Sequence, residues 1–314
     1  MTRLLVTGAD GFVGRHLVRT ARADGHQVIA AVLPGTSPIP EWTDAAVGPI
    51  VEVVRADLTR PADLDRLARV GAEAIVHLAA IASGAAARHD PAGAMQVNSV
   101  GSLQLLQAFA AAGERPRLLF VSTGEVYGPG HDGPIPESAP LNPVSPYAES
   151  KRAAEAALAE VDGEGRVPTI IVRAFPHSGP GQSAAYVLPA LAARLRAAKA
   201  AGDHAVTAGN LDPVRDFLDV RDVARAYLVL LDRGVAGEVY NVASGTGQRL
   251  RDCFDRLAEL IGVEARPTQD PALMRPADIP VLIGDPRKLR AATDWTPQYS
   301  FDQTLQDLVD AQAH

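Results

Sequence analysis

The N-terminus carries the stretch Val6-Thr7-Gly8-Ala9-Asp10-Gly11-Phe12-Val13-Gly14, a GxxGxxG pattern that follows an apolar run and opens an amphipathic segment. Glycine suits such a pattern because it permits a sharp strand-to-helix turn, close approach of a pyrophosphate to the backbone, and tight helix–sheet packing. The helix that follows presents free N–H groups and the positive end of its dipole to the anion. The stretch therefore predicts a dinucleotide site, and the residues expected to form it are Gly8, Gly11, Phe12, Val13 and Gly14.

Short apolar runs alternate with helix-like segments through the first half of the chain. The runs are Leu4–Thr7, Val28–Val32, Val51–Ala56, Ala74–His77, Leu118–Ser122 and Thr169–Val172. The helix-like segments are Phe12–Ala23, Pro61–Val70, Ala92–Ala112 and Tyr147–Val161. Near-continuous apolar runs are typical of parallel strands covered on both faces. The alternation predicts an α/β fold with a doubly wound parallel Rossmann sheet and ligands at the carboxyl ends of its strands.

The pattern changes after residue 173. The loop Pro176–Gln182, which holds glycine and proline, precedes a helix expected near Ala184–Ala200, and shorter mixed elements follow. We expect an NAD(P)-binding Rossmann domain over residues 1–173, to which later segments return, and a smaller mixed substrate-binding region over residues 174–314. Two long loops stand out: Leu33–Ile50 follows the second strand pattern, and Gly128–Pro146 lies just before Tyr147, where the border of the active site is expected. Loops of this length in a compact domain are more often functional than incidental.

Composition limits the classes of partner. Hydrophobic residues make up 47% of the 314 residues and charged residues 21%, which favours a packed core over a disordered chain. The net charge of −7 argues against a nucleic-acid partner, because a phosphate backbone requires a basic face. Cys253 is the single cysteine, which excludes a disulfide framework and a cysteine-built metal site, and no metal is expected. No apolar run approaches the roughly 20 residues of a membrane span, and no signal peptide is recognisable, so we expect a cytoplasmic protein without a membrane partner.

Residues after the third and fourth strand patterns extend the expected dinucleotide site. Asp57, followed by Leu58, can accept a hydrogen bond from the adenine amino group, although a helix-initiating turn would explain the same acid. Ala79 belongs to a run of small residues that lets a cofactor lie against the backbone, whereas His77 is interpreted as a structural histidine. The second strand pattern ends without the Asp or Glu that usually holds the ribose 2′-hydroxyl of NAD. Thr36 and Ser37 can serve a 2′-phosphate, although no arginine is adjacent. The sequence therefore slightly favours NADP(H) over NAD(H).

A second pattern, Tyr147-Ala148-Glu149-Ser150-Lys151, carries the expected chemistry. Tyr147 and Lys151 are four residues apart and hence on one face of a helix. A phenol with a pKa of about 10 is a poor proton shuttle at neutral pH, but a nearby ammonium and a positive nicotinamide favour the phenolate. Thr123, at the end of a strand pattern, can hydrogen-bond the same substrate oxygen. Although YxxxK also arises by chance in plain amphipathic helices, its combination with the glycine stretch and Thr123 indicates hydride transfer to or from a carbonyl carbon.

Further stretches of the C-terminal half add a resemblance to a known family. They are Arg173–Gln182, Gly209–Val223, Tyr240–Gly245, Met274–Pro280 and Gly284–Leu289. Together with the glycine stretch and the Tyr/Lys pair, they make the chain similar over essentially its full length to extended short-chain dehydrogenases/reductases. Within these it resembles the GDP-4-keto-6-deoxy-D-mannose reductases and the related GDP-mannose 4,6-dehydratases, and the wording of Met274–Pro280 favours the reductase branch.

The resemblance implies a nucleoside-diphosphate-sugar (NDP-sugar) substrate and roles for individual residues. Arg215 and Arg275 match arginines that hold the diphosphate, which suits a forked guanidinium, although a surface salt bridge would also explain each. The other matched residues are Asp278 at the nucleoside ribose, Asn210 near the nucleotide, Ser83 beside the sugar, and Asn98 and Phe175 on the nicotinamide side. The resemblance also implies a homodimer that packs through the helices near Ala92–Ala112 and Tyr147–Val161.

Two positions need separate interpretation. The family usually has Asn where this chain has Pro176, so one polar contact to substrate or cofactor is missing and the exact sugar and base stay open. Glu125 follows Thr123 by two residues, a spacing at which dehydratases carry the base that removes the proton next to a transient keto group. Reductases can carry an acid there too, and a structural acid beside the site is the alternative.

These patterns support one leading function and two alternatives. The leading one is NAD(P)H-dependent reduction of the C4 keto group of an NDP-4-keto-6-deoxyhexose that resembles GDP-4-keto-6-deoxymannose. The alternative enzyme is an NDP-hexose 4,6-dehydratase that uses Thr123 and Glu125 and recycles its NAD(P). A non-catalytic NAD(P)-binding sensor is the remote alternative, because such proteins tend to lose the Tyr/Lys pair that this chain keeps.

Overall fold

The computed structural model describes residues 1–45, 48–163, 167–274 and 279–312. In chain order its strands are β1 (Arg3–Thr7), β2 (Gln27–Val32), β3 (Glu52–Arg55), β4 (Ala74–His77), β5 (Arg117–Thr123), β6 (Thr169–Ala174), β7 (His177–Ser178), β8 (Ala205–Ala208), β9 (Val214–Asp216), β10 (Leu218–Asp219), β11 (Val239–Val242), β12 (Gly247–Arg249), β13 (Arg266–Gln269) and β14 (Val281–Leu282). The helices are α1 (Phe12–Ala23), α2 (Pro61–Leu67), α3 (Gly84–His89), α4 (Pro91–Met95), α5 (Ser102–Ala111), α6 (Pro146–Gly163), α7 (Val187–Ala201), α8 (Val220–Arg233), α9 (Leu250–Ile261), α10 (Arg287–Thr293) and α11 (Phe301–Ala311). Among the described residues, no helix combines the length and apolarity that a bilayer span requires.

Seven strands form one parallel sheet in the order β3-β2-β1-β4-β5-β6-β11. The direction of growth of the sheet reverses between β1 and β4, so the carboxyl ends of these two strands border a crevice at the topological switch point. Thr7, at the end of β1, pairs with Ala31 on one side and with His77 on the other. The predicted doubly wound Rossmann sheet is confirmed.

The strands send alternate side chains into two cores, because successive residues of a strand point to opposite faces of the sheet. Leu4 and Val6 of β1 pack on the face covered by α1 and α8. Leu5 packs on the other face, in a core that includes Leu105 of α5 and Leu158 of α6. Coverage on both faces explains why the strands appear in the sequence as continuous apolar runs rather than as alternating patterns.

The C-terminal half completes the sheet and also builds a core of its own. Strand β11 pairs with β6, and α8 packs against α1, so the chain beyond residue 173 returns to the Rossmann sheet. Helices α7, α9 and α11 enclose a third core that contains Leu195, Phe254 and Leu305. The sheets β12-β9-β14 and β13-β8 belong to this half. The division of the chain into two domains at residue 173 stays a prediction.

The segment predicted as one helix over Ala92–Ala112 is divided in the structure. A π-helical segment, Gln96–Gly101, separates α4 from α5. Such segments change the direction of the side chains that follow them and are frequent at functional sites. Here the Asn98 amide binds both backbone polar groups of Ile81, at 2.7 Å for the N–H and 3.2 Å for the carbonyl.

Candidate active site

The glycine stretch between β1 and α1 forms a cradle in which side chains have no room. Gly8 has φ of 64°, a conformation that glycine adopts at no steric cost. A Cβ atom at Gly8 would lie 2.9 Å from the Ala79 nitrogen, and one at Gly14 would lie 2.3 Å from the Gly8 oxygen. Within the cradle, Gly11 is the residue before α1 and makes no side-chain cap to the helix. The exposed start of α1 therefore suits the pyrophosphate of a dinucleotide.

A cavity of about 610 Å³ opens above the carboxyl ends of β1, β2, β4, β5 and β6. This volume lies within the range of small-molecule and cofactor sites. Fourteen of the predicted site residues line it, namely Gly8, Gly11, Phe12, Val13, Gly14, Asp57, Leu58, Ala79, Thr123, Glu125, Tyr147, Lys151, Phe175 and Arg215. The cavity therefore joins the glycine cradle to the Tyr/Lys pair in one continuous space.

Lys151 lies on α6 with its ammonium buried beneath the cavity. Its side chain is 2% exposed, and Nζ donates a hydrogen bond of 2.7 Å to the Val121 carbonyl of β5. Nζ also lies 4.8 Å from the centre of the Phe120 ring. Burial lowers the pKa of Lys151 to about 7, although the Glu155 carboxylate raises it in part. The ammonium is thus fixed by backbone and ring contacts one helical turn from Tyr147.

Tyr147 lies in the first turn of α6, and it lines the cavity together with Lys151. Burial and then the negative charge of Glu125 raise the pKa of Tyr147 above its ordinary value, while a hydrogen bond with Thr123 lowers it. The phenol is therefore protonated at neutral pH before any ligand binds and is available as a hydrogen-bond and proton donor. A bound positive charge would shift its pKa back towards the working range.

Thr123 and Glu125 are placed by the end of β5. The chain leaves the strand in a short 3₁₀ turn, and the Thr123 hydroxyl caps it by accepting a hydrogen bond of 3.2 Å from the Glu125 N–H. The Glu125 carboxylate is partly exposed, lines the cavity and accepts a bond of 3.4 Å from Ser145. The Thr123 hydroxyl also hydrogen-bonds the Tyr147 phenol, and the Glu125 carboxylate is near enough for its charge to act on that phenol.

A family model described as NAD dependent epimerase/dehydratase family matches residues 4–243 of the chain. The chain belongs to this family. It is 36% identical over 310 residues to GDP-6-deoxy-D-mannose reductase of Pseudomonas aeruginosa, covering 98% of this chain and 96% of that protein. It is 27% identical over 332 residues to dTDP-glucose 4,6-dehydratase of Neisseria gonorrhoeae, covering 98% of this chain and 94% of the relative.

A solved structure agrees with these relationships. The structure of RMD from Pseudomonas aeruginosa complexed with NADPH superposes with a TM-score of 0.85 at 35% identity. The match covers 99% of this chain and 98% of that one. The sequence-based recognition of an extended short-chain dehydrogenase/reductase is confirmed. The chain is an NAD(P)-dependent enzyme of the epimerase/dehydratase family.

In this epimerase/dehydratase-family chain, three predicted site residues lie outside the main cavity. Asn98 is fully buried, and its amide bonds Ile81 and the Ser150 hydroxyl (2.9 Å), so it supports the cavity wall through Ile81. Ser83 caps α3 by accepting a hydrogen bond from the Ala86 N–H. Asn210 lines a second cavity of about 200 Å³. The ligand contacts predicted for these three residues stay predictions.

Arg215 links the two cavities. It lines both, and its Nη1 donates hydrogen bonds to the carbonyls of Ile279, at 2.6 Å, and Val214, at 2.9 Å. A guanidinium at this junction suits a diphosphate that runs from one space to the other. The other two predicted substrate residues, Arg275 and Asp278, lie outside the described residues.

Hydrogen bonds show the structural roles of two residues near the cradle, Asp57 and His77. The Asp57 carboxylate accepts from the N–H and hydroxyl of Thr59, at 2.9 and 2.7 Å, so Asp57 both caps a turn and lines the cavity. His77 bonds Thr7 through Nδ1 (2.8 Å) and Ser102 through Nε2 (2.9 Å), and burial lowers its pKa to about 3. His77 is therefore a neutral structural residue, as the sequence interpretation had it.

Sequence reasoning missed a buried ionic network beneath the catalytic pair. Arg173 of β6 and Glu155 of α6 form a salt bridge of 2.8 Å with both side chains under 10% exposed. Glu155 also accepts a short hydrogen bond from Ser122 of β5, and Arg173 donates to the Tyr127 hydroxyl at 3.0 Å. The one available signal was the position of Glu155, four residues after Lys151 on the same helix face.

Proposed function

We propose that this protein reduces the C4 keto group of an NDP-4-keto-6-deoxyhexose with a nicotinamide dinucleotide as the hydride donor. The observation that carries the proposal is that Thr123, Tyr147 and Lys151 converge on the cavity that begins at the glycine cradle. The relationship to a GDP-6-deoxy-D-mannose reductase at 36% identity supports a GDP-linked substrate. The resemblance supports a homodimer, and sedimentation of the purified protein measures this oligomeric state. Action in the cytoplasm stays a prediction.

The cavity residues can hold the cofactor and move the proton. The cradle from Gly8 to Gly14 would bind the pyrophosphate, and Phe175 and Pro176 line the cavity at the end of β6. When bound, the reduced nicotinamide supplies the hydride and carries a positive charge after giving it up. Tyr147 gives its phenolic proton to the carbonyl oxygen that becomes the C4 hydroxyl, and Thr123 hydrogen-bonds the same oxygen. The buried ammonium of Lys151 stabilises the phenolate that Tyr147 leaves behind.

We assign substrate binding to the region where the main cavity meets the second cavity. Arg215 supplies a forked cation at the junction of the two cavities and would hold the diphosphate. Asn210 borders the second cavity, and in this proposal that cavity takes the nucleoside. We retain Arg275 at the diphosphate, Asp278 at the nucleoside ribose and Ser83 at the sugar as parts of the proposal.

The second candidate function is NDP-hexose 4,6-dehydration, and Glu125 is the observation that favours it. Its carboxylate is close enough to Tyr147 to raise the pKa of the phenol. A carboxylate in this place can remove the proton next to a transient keto group while Thr123 assists loss of water. Such a reaction returns the hydride to the product, so the dinucleotide undergoes no net change.

One assay separates the two functions. The protein is incubated with GDP-4-keto-6-deoxymannose and NADH or NADPH, and the absorbance of the reduced nicotinamide is followed. Steady loss of absorbance with formation of a 6-deoxyhexose nucleotide is the expected result. No net loss, together with a 4-keto product formed from intact GDP-mannose, would replace the reductase with the dehydratase.

A further inference from the structure

One corner of the main cavity decides which dinucleotide fits, because NADP(H) differs from NAD(H) only by a phosphate on the adenosine ribose. In Rossmann sheets an acid at the end of the second strand holds the ribose hydroxyls of NAD. Strand β2 ends at Val32, and the chain that leaves it through Leu33 carries no acid until Glu41. The chain directly after β2 therefore offers no carboxylate to the ribose.

The structure supplies that carboxylate from the glycine cradle instead. Asp10 lines the cavity, and its Oδ2 accepts a hydrogen bond of 3.2 Å from the hydroxyl of Thr36, four residues past the end of β2. The Asp10 carboxyl group therefore lies beside the chain that leaves β2. Val32 and Leu33, at the end of β2, also line the cavity. The glycine loop therefore brings an acid beside the chain that leaves β2.

The charges around this corner oppose a phosphate. Among the described residues that line the cavity, the acids are Asp10 and Asp57 near the cradle and Glu125 near Tyr147, whereas the cations are Lys151 and Arg215. Lys151 belongs to the catalytic pair, and Arg215 borders the second cavity. A phosphate monoester carries about −1.5 to −2 charges, so at the adenosine end it would meet carboxylates and, among the described residues that line the cavity there, no cation.

Two arginines near this corner are already engaged outside the cavity wall. Arg15 is exposed, and its Nε donates a hydrogen bond of 2.9 Å to the backbone carbonyl of Asp10. Arg60 is exposed and pairs with Asp57 at 3.7 Å. Neither arginine lines the cavity. Since a relative of the same fold was solved with NADPH, the fold accepts the phosphorylated form, and the side chains of this corner must set the preference.

We propose that Asp10 selects the cofactor of this protein: its carboxylate accepts hydrogen bonds from the adenosine ribose hydroxyls, and NAD(H) binds in preference to NADP(H). The proposal rests on the proposed function only in that a nicotinamide dinucleotide occupies the cavity. The proposal revises the slight preference for NADP(H), which was inferred from the lack of an acid at the end of the second strand. A carboxylate that bonds a hydroxyl in one ligand and repels a phosphate in the other discriminates by both attraction and repulsion.

Calorimetric titration without any sugar tests the proposal. The full chain is titrated with NADH and with NADPH, and NADH is expected to bind about ten- to hundredfold more tightly, the worth of one hydrogen bond to a charged group. Asp10→Asn removes the charge at nearly constant shape and should reduce that ratio at least about fivefold. Asp232→Asn is the matched control, because Asp232 is 81% exposed at the far end of α8 and loses the same charge. This control should leave both affinities unchanged.

Wild-type protein that binds NADPH as tightly as NADH would overturn the proposal, and so would an Asp10→Asn variant with an unchanged ratio. The wild-type ratio needs no variant, so a folding defect in Asp10→Asn does not remove the test. Tight NADH binding that depends on Asp10 supports the proposal even if no keto sugar is reduced. Failure of either dinucleotide to bind would overturn both the selectivity and the proposed function.

Discussion

Lys151 is a buried cation whose charge depends on the fold around it. Its ammonium contacts a carbonyl and an aromatic ring, and burial lowers its pKa to about 7 in the folded protein. In the unfolded chain a lysine keeps a pKa of about 10.4. Between these two values the unfolded chain binds a proton that the folded protein does not. From this residue alone, the free energy of unfolding therefore rises with pH above about 7.

We predict that Lys151→Met flattens this rise in the ligand-free protein. The difference in slope between wild type and variant should approach about 1.4 kcal/mol per pH unit between about pH 7 and pH 9. Urea unfolding at several pH values in this window measures it. Burial raises the pKa of the Cys253 thiol to about 12, which acts in the opposite direction, but this effect is common to both proteins and cancels. Parallel pH profiles would show that Lys151 stays protonated in the folded state.

At the scale of single elements, α6 is the part that assembles the catalytic residues. Tyr147, Lys151 and Glu155 follow one another at four-residue intervals and so lie along one face of the helix. The Tyr147 phenol and the Lys151 ammonium belong to residues that line the cavity. Glu155 connects the helix to β5 by its hydrogen bond with Ser122 and to β6 by its contacts with Arg173. The same face therefore carries both the chemistry and its attachment to the sheet.

Glu155→Gln should destabilise the protein by about 3–5 kcal/mol, because it leaves the Arg173 guanidinium buried without its carboxylate. Equilibrium unfolding in urea measures the change. Asp255→Asn is the matched control, since it breaks an Arg251–Asp255 pair whose side chains are about half exposed. Such an exposed pair is worth about 0.3–0.5 kcal/mol. Equal effects of the two substitutions would refute the anchoring role of Glu155.

The glycine cradle gives an element-scale prediction of its own. A methyl group at Gly14 would approach the Gly8 oxygen to 2.3 Å, so α1 must move away from the loop that it packs against. Gly14→Ala should cost about 1–3 kcal/mol of stability by overpacking and weaken dinucleotide binding. Gly133→Ala serves as the control, because a Cβ there meets nothing within 4 Å. Thermal unfolding and quenching of NADH fluorescence measure the two effects, and unimpaired binding by Gly14→Ala would argue against the cradle as the pyrophosphate site.

At the scale of the whole molecule, the features that could be predicted from the sequence are those with a local sequence pattern. The glycine stretch, the apolar runs and the Tyr147/Lys151 spacing each lie within one element or one turn, so periodicity and composition reveal them. The missed features join segments far apart in the chain, such as Asp10 with Thr36 and Arg173 with Glu155. The π-helical turn at Asn98 is likewise decided by tertiary contacts. The pattern within a single segment does not show which other segment it will contact in the fold.

The melting temperature of the whole molecule should respond separately to the dinucleotide and to the nucleoside diphosphate. A ligand that binds only the folded state at about 100 times its Kd stabilises it by about 2.7 kcal/mol. With the dinucleotide site already filled by NADH, GDP should raise the melting temperature more than UDP or dTDP does. Arg215→Met should abolish the GDP response and keep the NADH response, as measured by differential scanning fluorimetry. Loss of both responses would mean that Arg215 supports the fold rather than the diphosphate.

The rate of hydride transfer in Tyr147→Phe tests the central claim most directly. Enzyme loaded with reduced dinucleotide is mixed with GDP-4-keto-6-deoxymannose, and one turnover is followed by nicotinamide absorbance. The phenylalanine keeps the ring but loses the proton donor, so the single-turnover rate should fall about 100- to 10,000-fold. Dinucleotide affinity and melting temperature should match those of wild type. A variant that reduces the keto sugar at the wild-type rate would contradict the assignment of Tyr147 as the residue that delivers the proton.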